Sequence, residues 1–108
     1  MARTGFRVTG AATDTAVIAA PGANKRIVIQ KLMFTVSAAA TVSFSDGLDA
    51  TATRIIDGDF AANGGGVWDS AGSQMNYIPV AVLTANTAFN VTNSAGNLKG
   101  SVTYDVVG

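Results

Sequence analysis

The chain has 108 residues, a formal net charge of zero, and only seven basic and seven acidic side chains. This length suits a single domain, and the lack of a basic excess argues against a nucleic-acid-binding protein. His, Cys and Glu are absent, which excludes disulfides, imidazole and thiolate metal sites, and His-dependent catalysis. We therefore expect no enzymatic activity, no cofactor and no bound metal.

Residues 1–13 are mostly small and polar. We expect them to form an extended N-terminal arm, separate from a β-sandwich domain over residues 14–108. The arm would drape over a neighbouring molecule through Arg3, Phe6 and Arg7. The alternatives are a loose terminus or a first edge strand.

Short runs of strand-forming residues, broken by Gly, Pro, Asn and Asp, fill the rest of the chain, and none has a helical period. They predict about eight strands, spaced as in an antiparallel β-sandwich of jelly-roll type. In chain order the runs cover residues 15–19, 25–37, 41–45, 51–56, 67–68, 74–78, 80–83, 87–92 and 98–106. The uncharged stretch 70–98 is too polar to span a membrane, so we expect no membrane partner.

The strand at 25–37 changes phase within its length. Ile27 and Ile29 have one parity, whereas Leu32, Phe34 and Val36 have the other. Both sets can face one core only if the strand is bulged, or passes from one sheet to another, near residues 30–31. In the last strand the apolar residues alternate with polar ones, as in an antiparallel strand that is buried on one face.

Two segments carry alternative interpretations. Asn63 to Gly66 predicts either a mobile loop or a close approach of another backbone. Asp57-Gly58-Asp59 favours a turn that ends a strand. The alternative is a calcium site in which Asp57 and Asp59 supply oxygen ligands, together with Asp46, Asp49 or Asp69.

Trp68, Met75 and Tyr77 lie close together around a Gly/Ser-rich segment. Half-buried packing is the simpler explanation for them. The sharper hypothesis is an oligomer or partner interface, where Trp, Tyr and Met are enriched.

Several stretches resemble the small virion proteins of tailed phages. They are AAPGANKRIVI at 19–29, FTVS at 34–37, TVSFSDG at 41–47, LTANTAFNVT at 83–92 and GSVTY at 100–104. The resemblance covers residues 14–107 and is to capsid decoration (cement) proteins, which are β-sandwich or jelly-roll proteins, often trimeric.

The resemblance implies a non-enzymatic virion protein on the capsid surface, made in the host cytoplasm. It would be a homotrimer, and it would bind the major capsid protein at junctions between coat subunits and stabilise the assembled shell. It assigns no residue to this role. The alternative is a host-surface or carbohydrate-binding module of a tail fibre, with Trp68 or Tyr77 exposed or calcium bound at Asp57 and Asp59.

Overall fold

A computed structural model describes residues 2–71 and 78–108 of the chain. These residues form nine strands and no helix, so the prediction of an all-β domain is confirmed. The strands are β1 (Ala2–Val8), β2 (Ala12–Ile18), β3 (Arg26–Val36), β4 (Ala40–Asp46), β5 (Arg54–Phe60), β6 (Gly65–Asp69), β7 (Ala81–Val82), β8 (Phe89–Asn93) and β9 (Leu98–Val107).

The strands form two antiparallel sheets packed as a sandwich. One sheet has five strands, in the order β1-β9-β3-β6 with β7 also paired to β3, and the other has four, in the order β2-β8-β4-β5. Strands from the two halves of the chain pair in nested order: β1 with β9, β2 with β8, β3 with β6 and β4 with β5. This is a long hairpin folded over itself, and it is the jelly-roll arrangement that the sequence predicts.

The N-terminal segment belongs to the sandwich. Ala2–Val8 pairs along its whole length with β9, from Ala2 opposite Tyr104 to Val8 opposite Leu98. β2 then begins at Ala12, before the predicted boundary at residue 13. The structure therefore has the edge strand that was the alternative to a draping arm. In this position the backbone N–H and C=O groups of β1 hydrogen-bond with β9, whereas those of a free arm would have no such partner.

A bulge at Gln30 explains the phase change in β3. Ile29 lies opposite Tyr104, but Lys31 lies opposite Thr103, so Gln30 is an extra residue in the ladder with β9. Ile27 and Ile29 on one side of the bulge, and Leu32 on the other, are all fully buried in the same core. Of the two alternatives, the structure has the bulge, and the expectation that β3 is shared between the two sheets is wrong.

The prediction that Asp57-Gly58-Asp59 forms a turn is wrong. These residues lie inside β5, opposite Thr41 to Ser43 of β4. The turn between β4 and β5 occurs earlier, where the backbone N–H groups of Thr53 and Arg54 both donate to the carbonyl of Ala50. Because that turn uses residues 47–53, β5 starts at residue 54 and continues through the Asp-Gly-Asp segment.

Aromatic rings form the centre of the core. Phe34 stacks on Trp68 with centroids 5.4 Å apart and packs against Phe44 at 5.2 Å and Phe60 at 5.0 Å. Phe44 in turn contacts Phe89 and Phe6. All five phenylalanines and the single tryptophan thus join both sheets, which compensates for the many alanines that bury little area.

Two glycines let neighbouring backbones approach β3. A Cβ at Gly100 of β9 would collide with the carbonyl oxygen of Met33, and one at Gly65 of β6 would collide with that of Phe34. Of the two interpretations of 63–66, the structure has the close backbone approach. Gly66 also leaves space for the ring of Trp68, whose nearest atom would lie 2.6 Å from an added Cβ.

We expect Gly100→Ala to lower the free energy of unfolding by about 1–3 kcal/mol, the usual cost of overpacking a rigid site. Gly5→Ala is the matched control, because a Cβ there would meet only the Gly100 carbonyl oxygen at 3.7 Å, and it should change stability by less than about 0.5 kcal/mol. Urea unfolding measures both. Equal stability of the two variants would contradict the close approach at Gly100.

Candidate docking face

The outer side of the five-stranded sheet carries four basic side chains. Leu32, Phe34 and Val36 of β3 point into the core, so the residues between them and those paired with them point outward. The register arranges them in three rows: Arg3–Thr103–Lys31–Asp69, Gly5–Ser101–Met33–Val67 and Arg7–Lys99–Thr35–Gly65. We call this surface the basic face.

The positive charge of the basic face is weakly compensated. Lys31 Nζ lies 3.8 Å from Asp69 Oδ2, but both side chains are largely exposed and the pair is screened by water. Within the described residues, Arg3, Arg7 and Lys99 have no ion-pair partner. Arg7 and Lys99 lie directly opposite each other, so they repel, and a carboxylate placed between them would relieve that repulsion.

Small residues make the basic face concave. Gly5, Gly65 and Ser101 leave a shallow open depression of about 860 Å³, bordered by Arg7 and Lys99. Met33 and Val67 supply its apolar floor, and Val67 is exposed to 59%. Such an open surface suits a protruding part of another protein better than a small molecule, which proteins usually enclose.

The outer side of the four-stranded sheet has the opposite charge. Asp14, Asp49, Asp57 and Asp59 lie there around Arg54, and we call this surface the acidic face. Arg54 donates from Nε and Nη2 to the two carboxylate oxygens of Asp49, at 2.9 and 3.2 Å, and from Nη1 to Asp57 Oδ2 at 3.3 Å. Asp59 accepts from Thr41 Oγ1 at 2.6 Å, and Asp14 accepts from the Asp49 backbone N–H at 2.7 Å.

Zero net charge therefore conceals a separation of charge between the sheets. The strands of the five-stranded sheet contain five basic and two acidic residues: Arg3, Arg7, Arg26, Lys31 and Lys99, with Asp69 and Asp105. The strands of the four-stranded sheet contain one basic and four acidic residues: Arg54, with Asp14, Asp46, Asp57 and Asp59. Lys25 and Asp49 lie in loops. The protein therefore has two broad surfaces of opposite charge, and each can attract a partner of complementary charge.

The residues predicted for the arm and for the interface do not form common sites in the structure. Arg3 and Arg7 lie on the basic face, whereas Phe6 points inward and contacts Phe44, with ring centroids 6.0 Å apart. Trp68 is half-buried against Phe34, which matches the simpler explanation for it. Met75 and Tyr77 lie outside the described residues, so their interface role stays a prediction.

Asp57 and Asp59 do not meet a third acidic residue in a ligand-like arrangement. Over residues 2–71 and 78–108, no three Asp side chains are grouped to hold a metal ion. Asp57 is engaged by Arg54, and Asp59 by Thr41. Their position in a strand also separates them from the loop geometry of calcium sites.

Lys31 and Lys99 of the basic face were not predicted as site residues from the sequence. Alternation in the last strand already assigns Lys99 to the polar side, and a bulge at residue 30 assigns Lys31 to the outside. Their proximity to Arg3 and Arg7 follows only once β1 is paired with β9. Alternation within one strand thus places each lysine on the outer side of the sheet. Only the pairing of β1 with β9 places them beside the arginines.

Comparison of the chain with protein families, curated proteins and solved structures found no match. In the described part of the chain, no helix is long and apolar enough to cross a membrane.

The Asp49–Arg54 pair should make the free energy of unfolding depend on pH. The Arg54 guanidinium, which hydrogen-bonds Asp49, holds the pKa of that carboxyl below its ordinary value of 3.8. A pKa lowered by folding means that the stabilisation is present above the ordinary pKa and is lost as the pH falls through the folded-state pKa. We expect Asp49→Asn to be less stable than the wild type at neutral pH, and the difference to shrink below about pH 4.

Urea unfolding of both proteins between about pH 7 and pH 2 measures this difference. Asp69→Asn is the control, because its exposed pair with Lys31 should contribute little stability. A stability difference for Asp49→Asn that stays constant over this pH range would contradict the assigned role of the pair.

Proposed function

We propose that this protein is a non-enzymatic structural protein of a tailed-phage virion, which attaches to the outer surface of the assembled capsid and stabilises the shell. The observation that carries the proposal is a jelly-roll sandwich with a broad, shallow basic face. Jelly rolls are common among viral capsid proteins, and the resemblance of residues 14–107 to capsid decoration proteins points the same way.

The basic face is the surface best suited to contact the major capsid protein. Arg3, Arg7 and Lys99 lack an ion-pair partner among the described residues, and they surround the partly exposed Met33 and the exposed Val67. Protein interfaces are enriched in Met and Arg and combine an apolar centre with a polar rim. Exposed carboxylates on the capsid surface would give the complementary charge.

The mechanism requires no chemistry. A protein that contacts neighbouring coat subunits binds the assembled shell and not the separated subunits. It therefore stabilises assembly by mass action, by about 2.7 kcal/mol per site at a free concentration one hundred times the Kd. The stabilisation opposes the outward pressure of packaged DNA.

The position of Trp68 weakens the alternative of a carbohydrate-binding module. That function calls for an aromatic ring with a face open to the sugar. The ring planes of Trp68 and Phe34 are inclined by only 4°, so Phe34 occupies one face of the indole. Phe60 contacts the indole as well, at a centroid distance of 6.4 Å.

We expect the purified protein to co-sediment with expanded capsids that lack it, and to raise their melting temperature. Lys31→Glu/Lys99→Glu should weaken capsid binding by about tenfold or more, because it reverses two charges on the proposed contact surface. Binding should also weaken as the salt concentration rises.

Lys25→Glu is the matched control, since Lys25 is exposed in the loop before β3 and lies outside the basic face. It should bind capsids as the wild type does. No co-sedimentation of the wild-type protein, together with unchanged capsid melting, would contradict the proposed function. Equal loss of binding in both variants would contradict the choice of face.

A further inference from the structure

Two edge strands of equal length lie at the ends of different sheets. β1 ends the five-stranded sheet and β5 ends the four-stranded sheet, and each has seven residues. Within the described residues, β1 pairs only with β9, and β5 pairs only with β4. Each strand therefore has one row of backbone N–H and C=O groups available to a further strand.

The two edges carry opposite net charges, with two arginines on β1 and two aspartates against Arg54 on β5. On β1, Arg3 and Arg7 point outward, with Gly5 between them. On β5, Asp57 and Asp59 point outward at consecutive positions of the same face, and the Asp57 side chain is 46% exposed. Residues two apart on one strand face the same side. An antiparallel pair with Arg7 opposite Asp57 sets Gly5 opposite Asp59 and makes Arg3 a diagonal neighbour of Asp59, within reach of a long side chain.

Charges on edge strands normally prevent a sheet from pairing with other sheets. Here they discriminate between partners. Pairing β1 with β1 of another copy would bring arginines together, which is unfavourable. Pairing β5 with β5 would bring Asp57 and Asp59 of two copies together, and the Arg54 of each copy is already bound to its own Asp49 and Asp57. Antiparallel pairing of β1 with β5 instead places Arg7 opposite Asp57 and Arg3 diagonally across from Asp59.

The sandwich geometry also fits this pairing. The side chains of β1 and β5 that point inward pack on the same core: Phe6 contacts Phe44, and Ile56 is buried. When β1 of one copy continues into β5 of the next, the two cores lie on the same side of the joined sheet. The basic face of one copy then lies beside the acidic face of its neighbour.

We propose that copies of this chain associate head to tail, with the β1 edge of one copy adding to the β5 edge of the next. Such a heterologous contact closes into a ring when the rotation between copies allows it, and otherwise continues as a filament. The association needs no capsid, so it is measurable on the purified protein.

Sedimentation velocity of the full chain over a range of concentrations is the test. We expect an oligomer at about 50 mM NaCl that dissociates toward monomer at about 500 mM, because the paired charges are exposed to screening. Arg3→Asp/Arg7→Asp and Asp57→Arg/Asp59→Arg should each weaken self-association by about tenfold or more. The quadruple variant with both edges reversed should restore it, because the edges are complementary again.

Lys25→Asp is the control, and it should associate as the wild type does. Circular dichroism and thermal melting establish that each variant is folded, and the salt series on the wild-type chain needs no variant. A monomeric wild type at every concentration and salt, or folded double variants that associate as the wild type does, would overturn the proposal. A folded quadruple variant that stays monomeric would overturn it too. The two proposals can fail separately. A protein that does not self-associate can still bind capsids through Lys31 and Lys99, and a protein that does not bind capsids can still self-associate.

Discussion

The bulge at Gln30 is the constraint on which the rest of the structure depends. Without the extra residue, the alternation of β3 would bury Ile27 and Ile29 but expose Leu32 and Phe34. With it, both halves of β3 face the same core, and Phe34 reaches Phe44 of the other sheet at 5.2 Å. β3 is central in its sheet, so its register with β9 also sets the positions of β1 and β6.

The same bulge connects the core to the surface. Shifting the phase places Lys31 outside, in a row with Arg3, and the third row, beyond that of Met33, joins Arg7 to Lys99. On the opposite sheet, Arg54 holds Asp49 and Asp57 together. A neutral chain thereby acquires two faces of opposite sign, which supports a role in docking and assembly. The proposed capsid contact uses the basic face, and the proposed contact between copies uses the two charged edges.

Local patterns sufficed for much of the fold. Alternation in β3 predicted either a bulge or a change of sheet near residues 30–31, and alternation near the C-terminus predicted the half-buried β9, because both follow from periods within one strand. The turn predicted at Asp57-Gly58-Asp59 was wrong. Asp-Gly is typical of turns, but the turn lies earlier in the chain, where it is fixed by hydrogen bonds to the carbonyl of Ala50. The basic face was not predictable in the same way, since Arg7 and Lys99 come together only through pairing of the two chain ends.

Oxidation of Met33 tests the proposed docking most directly, without any substitution. Met33 is partly exposed at the centre of the basic face, and methionine exposed to oxidants becomes the sulfoxide. Brief oxidation of free and capsid-bound protein, followed by peptide mass spectrometry, compares its accessibility in the two states. We expect Met33 to be oxidised in the free protein and protected on the capsid. Equal oxidation of Met33 in protein that co-sediments with capsids would contradict it.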